Sequence, residues 1–214
     1  MDFHFESTLI SVNLPDREAL LDSVAAKFAA GQGFALATIN LDHLVKLARS
    51  DAFRHAYAAQ DMVVADGNPI VWLSRLAGRP VSLVPGADMV VPLARLAAGW
   101  GISVGLVGTT EAALAASAAR LRDEVPGLKI AACMAPPFGF DPGGDAAAGI
   151  LADLAAANVG LCFIALGAPK QEIFAALGRS LAPQIGFASV GAGLDFLAGK
   201  QIRAPHWMRK LALE

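Results

Sequence analysis

Cysteine is scarce in this chain, with two in 214 residues. Cys133 and Cys162 form no CxxC pair and have no histidine nearby, which excludes a disulfide-stapled scaffold and a zinc ribbon. Each lies inside an apolar, strand-like run, so both are expected to be buried free thiols in a reducing compartment. Charge is also sparse: Asp, Glu, Lys and Arg make up 17% of the chain and leave a net charge of −2. That balance excludes a general nucleic-acid partner, and no RNP-like or helix-turn-helix signature is present. Long apolar runs are missing despite a hydrophobic fraction of 55%. Uncharged stretches such as residues 96–110 and 180–194 are broken by Gly, Pro and polar residues, short of the roughly 20 apolar residues a spanning helix needs. Asp2, His4 and Glu6 stand where a signal peptide would place a basic and then an apolar stretch, so a cytosolic location is expected.

What is present is alternation. Apolar runs of β type at residues 9–12, 34–40, 62–65, 81–84, 102–107, 128–134, 161–166 and 185–190 are separated by alanine-rich stretches of helical period. Leu20, Val24 and Phe28 recur at i, i+4, i+8, and Leu114, Ala118 and Leu121 at i, i+4, i+7. Several runs are apolar throughout, as strands covered on both faces are. The pattern predicts a single α/β domain over residues 1–214, Rossmann-like, with a mostly parallel sheet and helices on both faces. Residues 136–144, rich in Pro and Gly, are expected to form a surface loop that covers a site.

In an open parallel sheet, ligands bind beyond the carboxyl ends of the strands, so polar residues there are the candidates. Thr38 and Asn40 end one run, two residues apart and thus on one side, as suits sugar hydroxyls. Asn40 also reads as a helix cap, and His43 reads equally as a helix residue or a site residue. Asp66-Gly67-Asn68-Pro69 ends another run. With Asn68 as N-cap and Pro69 as first helical residue, Asp66 has no capping duty and is placed as a general base for a hydroxyl, or else as a turn residue. Gly167-Ala168-Pro169-Lys170-Gln171-Glu172 follows a third run. A helix starting at Pro169 would offer backbone N–H groups to an anion, with Lys170, Gln171 and Glu172 beside them. Gly86-Ala87-Asp88 and Gly191-Ala192-Gly193-Leu194-Asp195 close two more. Gly105–Gly108 is a GxxG turn without the full dinucleotide fingerprint, which keeps an NAD-dependent oxidoreductase as an alternative of lesser weight.

Taken in order, these motifs, with Arg203-Ala204-Pro205-His206-Trp207 downstream, resemble the WecG/TagA/CpsF family of bacterial glycosyltransferases over nearly the whole chain. The resemblance implies inverting transfer of a hexose or N-acetylhexosamine-type sugar from a UDP-sugar to a polyprenyl-diphosphate-linked saccharide, in cell-surface or exopolysaccharide synthesis. It implies no metal or other cofactor and a peripheral position at the cytoplasmic face of the membrane, with homo-oligomers compatible. It assigns the catalytic base to Asp66 and substrate binding to Thr38, Asn40, Asn68, Asp88, Lys170, Gln171, Glu172, Gly191, Asp195 and Arg203. Two departures stand out: Leu83 where many members carry Arg, and a chain that stops at Glu214 where the family continues into a basic, amphipathic membrane-association appendage. Lys200, Arg203, Arg209 and Lys210 still make the end basic. Without such an appendage, a non-catalytic nucleotide-sugar-binding subunit is a further alternative.

Overall fold

The computed structural model describes residues 1–201. Expectations that fall on Arg203, on the motif at 203–207 and on the basic end beyond Lys200 lie outside the described residues.

The chain opens with an antiparallel hairpin, β1 (Asp2–Phe5) and β2 (Thr8–Ser11), which stands apart from the main sheet. Helix α1 (Arg17–Ala29) is capped by Asp16, whose carboxylate accepts from the Ala19 N–H, and it buries the expected Leu20, Val24 and Phe28. Then come β3 (Phe34–Ile39), α2 (Leu41–Arg49), α3 (Asp51–Ala58), β4 (Met62–Ala65), α4 (Asn68–Leu76) and α5 (Gly86–Gly99). The second half alternates regularly: β5 (Val104–Gly108), α6 (Glu111–Glu124), β6 (Ile130–Met134), α7 (Asp145–Ala156), β7 (Leu161–Ala165), α8 (Lys170–Leu181), β8 (Gly186–Ser189) and the short α9 (Gly193–Leu197). The six strands from β3 onward form one parallel sheet in the order β4-β3-β8-β7-β5-β6.

Alternation along each strand assigns the helices to faces. Phe34 and Leu36 of β3, Met62 and Val64 of β4, and Leu161 and Phe163 of β7 pack with α1, α5 and α6. Ala37 and Ile39, with Val63 and Ala65, face the other way, onto Leu47 of α2 and Phe53 and Tyr57 of α3. Cys162, Ile164 and Phe187 likewise meet α7 and α8. Burial of a large apolar side chain of this kind contributes about 1.5–3 kcal/mol, so the two layers are what hold the sheet.

This layering creates the site. After β3 the chain turns onto the α2 face; after the adjacent β8 it turns to α9, which packs on α5 and α6. Neighbouring strands whose chains leave to opposite faces open a crevice at their carboxyl ends.

Four expectations are corrected. Residues 81–84 form no strand: Pro80 and Pro85 flank them, and the segment passes the end of β4 with the Val84 N–H donating to the Ala65 carbonyl. Residues 9–12 pair only within the hairpin, where β2 begins at Thr8. Cys133 is exposed, because β6 is an edge strand that alternates between half-buried and exposed positions; Cys162 is buried as expected. The 136–144 loop is irregular as expected but does not line the crevice, since Phe140 anchors it against Phe174 of α8.

Candidate active site

A cleft of about 710 Å³ lies at the carboxyl ends of β3, β4, β7 and β8, where the layering opens the sheet. Thr38, Asn40, Asp66, Asn68, Gln171 and Gly191 line it, six of the residues singled out from the sequence. His43 and Leu83 line it as well, and Pro69, Gly167 and Ala168 complete much of its wall. Asp42 and Asp66 are acidic, and the described lining contains no Lys or Arg.

Asp66 follows the last residue of β4, and its N–H donates to the Ile39 carbonyl at 2.8 Å. Gly67 has φ of +128°, a conformation that L side chains rarely adopt, and so turns the chain sharply behind Asp66. The Asp66 carboxylate accepts from the Gly86 N–H, at the start of α5, at 3.3 Å. Gly67, not Asn68, is the cap residue of α4, and no side chain caps that helix; Asn68 is already helical and faces the cleft.

Asn40 does cap α2, with its side-chain oxygen accepting from the His43 N–H at 3.0 Å. The cap and a place in the cleft lining are compatible, because the cap uses only the side-chain oxygen. Thr38 is buried, and its carbonyl accepts from the Tyr57 hydroxyl. His43 is also buried, with Nδ1 lacking a partner among the described residues; burial lowers its pKa, opposed by the Thr38 backbone.

Helix α8 starts at Lys170, with Pro169 as cap residue after a cis Ala168–Pro169 bond. The expected anion site is partly spent within the chain. The Gln171 N–H donates to the Gly167 carbonyl at 3.1 Å. Lys170 is exposed and lies outside the cleft lining. Gln171 is buried at the cleft wall: its side-chain oxygen accepts from the Gly191 N–H at 3.2 Å, and its amide nitrogen donates to Glu172 at 2.8 Å. Glu172 lies behind this wall with no exposed surface, and burial pushes its pKa up to about 7 against the Gln171 hydrogen bond.

Asp88 and Asp195 sit elsewhere. Asp88 lines a second hollow of about 480 Å³ between α5, α6 and α9. Asp195 accepts from the Thr109 hydroxyl and ties α9 to the turn after β5. That turn does not reach the cleft either. Gly108, with φ of +124°, is required because a Cβ there would lie 2.2 Å from the Ala165 carbonyl oxygen. The GxxG glycine thus serves strand–strand approach, and the oxidoreductase alternative loses its structural basis.

Sequence reasoning missed Tyr57 and Gln60. The Tyr57 hydroxyl braces the strand end carrying Thr38, and the Gln60 amide donates to the Glu172 carbonyl at 3.1 Å. Nothing local marks them, since Tyr57 falls in an ordinary helical apolar pattern. Burial, with the nearby charges of Glu172 and Asp66, holds the Tyr57 hydroxyl well above its ordinary pKa, so it stays a donor. Among the described residues no group of three His, Cys, Asp or Glu side chains converges, and no helix is long and apolar enough to cross a membrane.

The fold and cleft define a Rossmann-like α/β protein with a polar ligand site at its switch point. Residues 7–214 match the glycosyl transferase WecG/TagA/CpsF family, and the chain belongs to that family of glycosyltransferases. It is similar to the N-acetylglucosaminyldiphosphoundecaprenol N-acetyl-beta-D-mannosaminyltransferase of Bacillus spizizenii, 27% identical over 185 residues, or 86% of this chain and 69% of the relative. The protein of the same name from Bacillus subtilis is 27% identical over 184 residues, 85% of this chain and 69% of the relative.

Proposed function

We propose that this chain transfers an N-acetylhexosamine-type sugar from a UDP-sugar to a polyprenyl-diphosphate-linked saccharide, with inversion at the anomeric carbon. The carrying observation is that Asp66 lines one cleft together with Thr38, Asn40, Gln171 and Gly191. The names of the two Bacillus relatives support the sugar class and the lipid-diphosphate acceptor.

In this reading the acceptor hydroxyl attacks the anomeric carbon and a new C–O bond forms. The bond from that carbon to the diphosphate breaks, its electron pair leaves with UDP, and the hydroxyl proton passes to Asp66. A carboxylate held by a backbone N–H is aimed, as a general base must be. Thr38, Asn40 and Asn68 orient sugar hydroxyls; Gln171 and Gly191 hold the nucleotide side. The chemistry uses no metal or other cofactor. Work at the cytoplasmic face of the membrane follows from the acceptor, with Arg203 and the basic end as contacts for diphosphate or headgroups.

The test is a screen of UDP-sugars by UDP release, with N-acetylglucosaminyl-diphospholipid as acceptor. UDP release that requires both substrates supports the reading. UDP-sugar binding without turnover would instead favour a non-catalytic binding subunit.

A further inference from the structure

We propose that Glu172 is a positioning residue for Gln171: it holds the Gln171 amide in the orientation that lets the amide carbonyl accept from the Gly191 backbone, and so sets the cleft wall between α8 and the turn after β8. Glu172 does not line the cleft and is fully buried, so it acts through its neighbour.

The argument is one of donors and acceptors. Gln171 Nε2 donates to Glu172 Oε1 at 2.8 Å, and Gln171 Oε1 accepts from the Gly191 N–H at 3.2 Å. A flipped amide would set oxygen against a carboxylate oxygen and NH₂ against a backbone N–H, losing both bonds at once. The amide keeps one N–H and one lone pair for a ligand in the cleft, both now pointing in defined directions. Among the described residues Glu172 has no ion-pair partner that would explain its burial, and its Oε2 has no hydrogen-bond partner.

Several groups surround the carboxyl. Tyr57 of α3 is near enough to feel its charge, and Gln60, just past α3, donates to its main-chain carbonyl while its own Oε1 lacks a partner among the described residues. Lys46 and Asp42 of α2 act on it with opposite sign, and Asp66 shares its influence on Tyr57. Burial outweighs them and moves the carboxyl to about 7. A proton on Oε2 makes Oε1 a poorer acceptor, and a proton on Oε1 opposes the Gln171 N–H; either loosens the lock.

The geometric part stands without any function, and only the effect on donor affinity rests on the proposed reading. In ¹⁵N-labelled protein, the Gly191 backbone amide and the Gln171 side-chain amide are expected to move together through one titration step centred near pH 7. In Glu172→Gln, which keeps an acceptor but cannot ionise, both should be pH-invariant. Resonances that stay still in the wild type, or that titrate alike in the variant, overturn the proposal. UDP titration supplies the second readout. Glu172→Leu should weaken UDP binding about tenfold, the scale of one lost charge-assisted hydrogen bond, and Glu172→Gln should restore it. In a Gln171→Ala background, Glu172→Leu should cost nothing more. An equal loss in both backgrounds would make Glu172 a general structural residue and end the proposal. A wild-type protein that ignores UDP would end the functional reading, while the resonances would still decide the role of Glu172.

Discussion

The carboxylate of Asp66 is fastened to the backbone of Gly86, Oδ2 to N at 3.3 Å, which joins the end of β4 to the first residue of α5 across twenty residues of chain. A backbone donor at a helix start fixes the direction of the carboxylate, as the base role proposed for Asp66 requires. Asp66→Asn keeps an acceptor oxygen for Gly86 and should leave the fold intact. It is expected to lower kcat about 10²–10⁴-fold, the usual worth of general-base catalysis, with UDP affinity nearly unchanged. A loss below tenfold at saturating substrate would remove Asp66 from the role.

Gln171 and Lys170 are neighbours in sequence with different surroundings, and their substitutions should differ. Gln171→Ala removes a cleft-wall amide bonded to Gly191, and should raise the donor KM more than it lowers kcat. Lys170→Ala removes an exposed cation outside the described cleft lining and should have the smaller effect. Initial rates over a donor series for both variants decide this. A pure kcat defect in Gln171→Ala would count against donor binding.

Glu172 makes stability depend on pH with a definite sign. Its pKa rises from 4.5 to about 7 on folding, so the native state binds more protons than the unfolded chain between those values. Its contribution is therefore favourable below the lower value and lost as pH rises through the upper one, a swing of about 3 kcal/mol. Urea denaturation of wild type and Glu172→Gln at pH 5 and pH 8 tests this. The wild type should lose stability relative to the variant on going from pH 5 to pH 8, and parallel behaviour would refute the shift.

Gly108 is a stability position. Adding a Cβ at φ of +124°, only 2.2 Å from the Ala165 oxygen, forces β5 and β7 apart at the core. Gly108→Ala is expected to cost about 3 kcal/mol, measured by urea denaturation. A loss below about 1 kcal/mol would mean the strands give way easily.

The two thiols should separate cleanly. Cys133 is exposed on edge strand β6, and Cys162 is buried between the sheet and its helices. A thiol reagent should label one cysteine in native buffer and both in denaturant. Two fast thiols in native buffer would contradict the burial of Cys162.

Much of the fold was legible in the sequence because period alone carries it. Continuous apolar runs such as 161–166 suit strands covered on both faces, Leu114, Ala118 and Leu121 recur at the spacing of one helix face, and both are found so. The polar residues at strand ends were legible for the same reason, since topology brings those ends to one rim, and Thr38, Asn40, Asp66 and Gln171 duly meet there. Residues 81–84 misled because β-type composition cannot report that two flanking prolines and a position beyond the end of β4 leave no ladder to join.

Which of the marked residues reach the cleft was left to the tertiary structure. Gln171 and Glu172 are adjacent in sequence, yet the rotation of about 100° per residue along a helix turns one to the cleft and the other inward. Asp88 and Asp195 follow strand ends or turns just as Asp66 does, but helix packing carries them to a separate hollow and to a tie with Thr109. Local sequence determines that a side chain stands at a strand end. The face to which the following helix crosses, set by contacts scores of residues away, decides what that side chain meets.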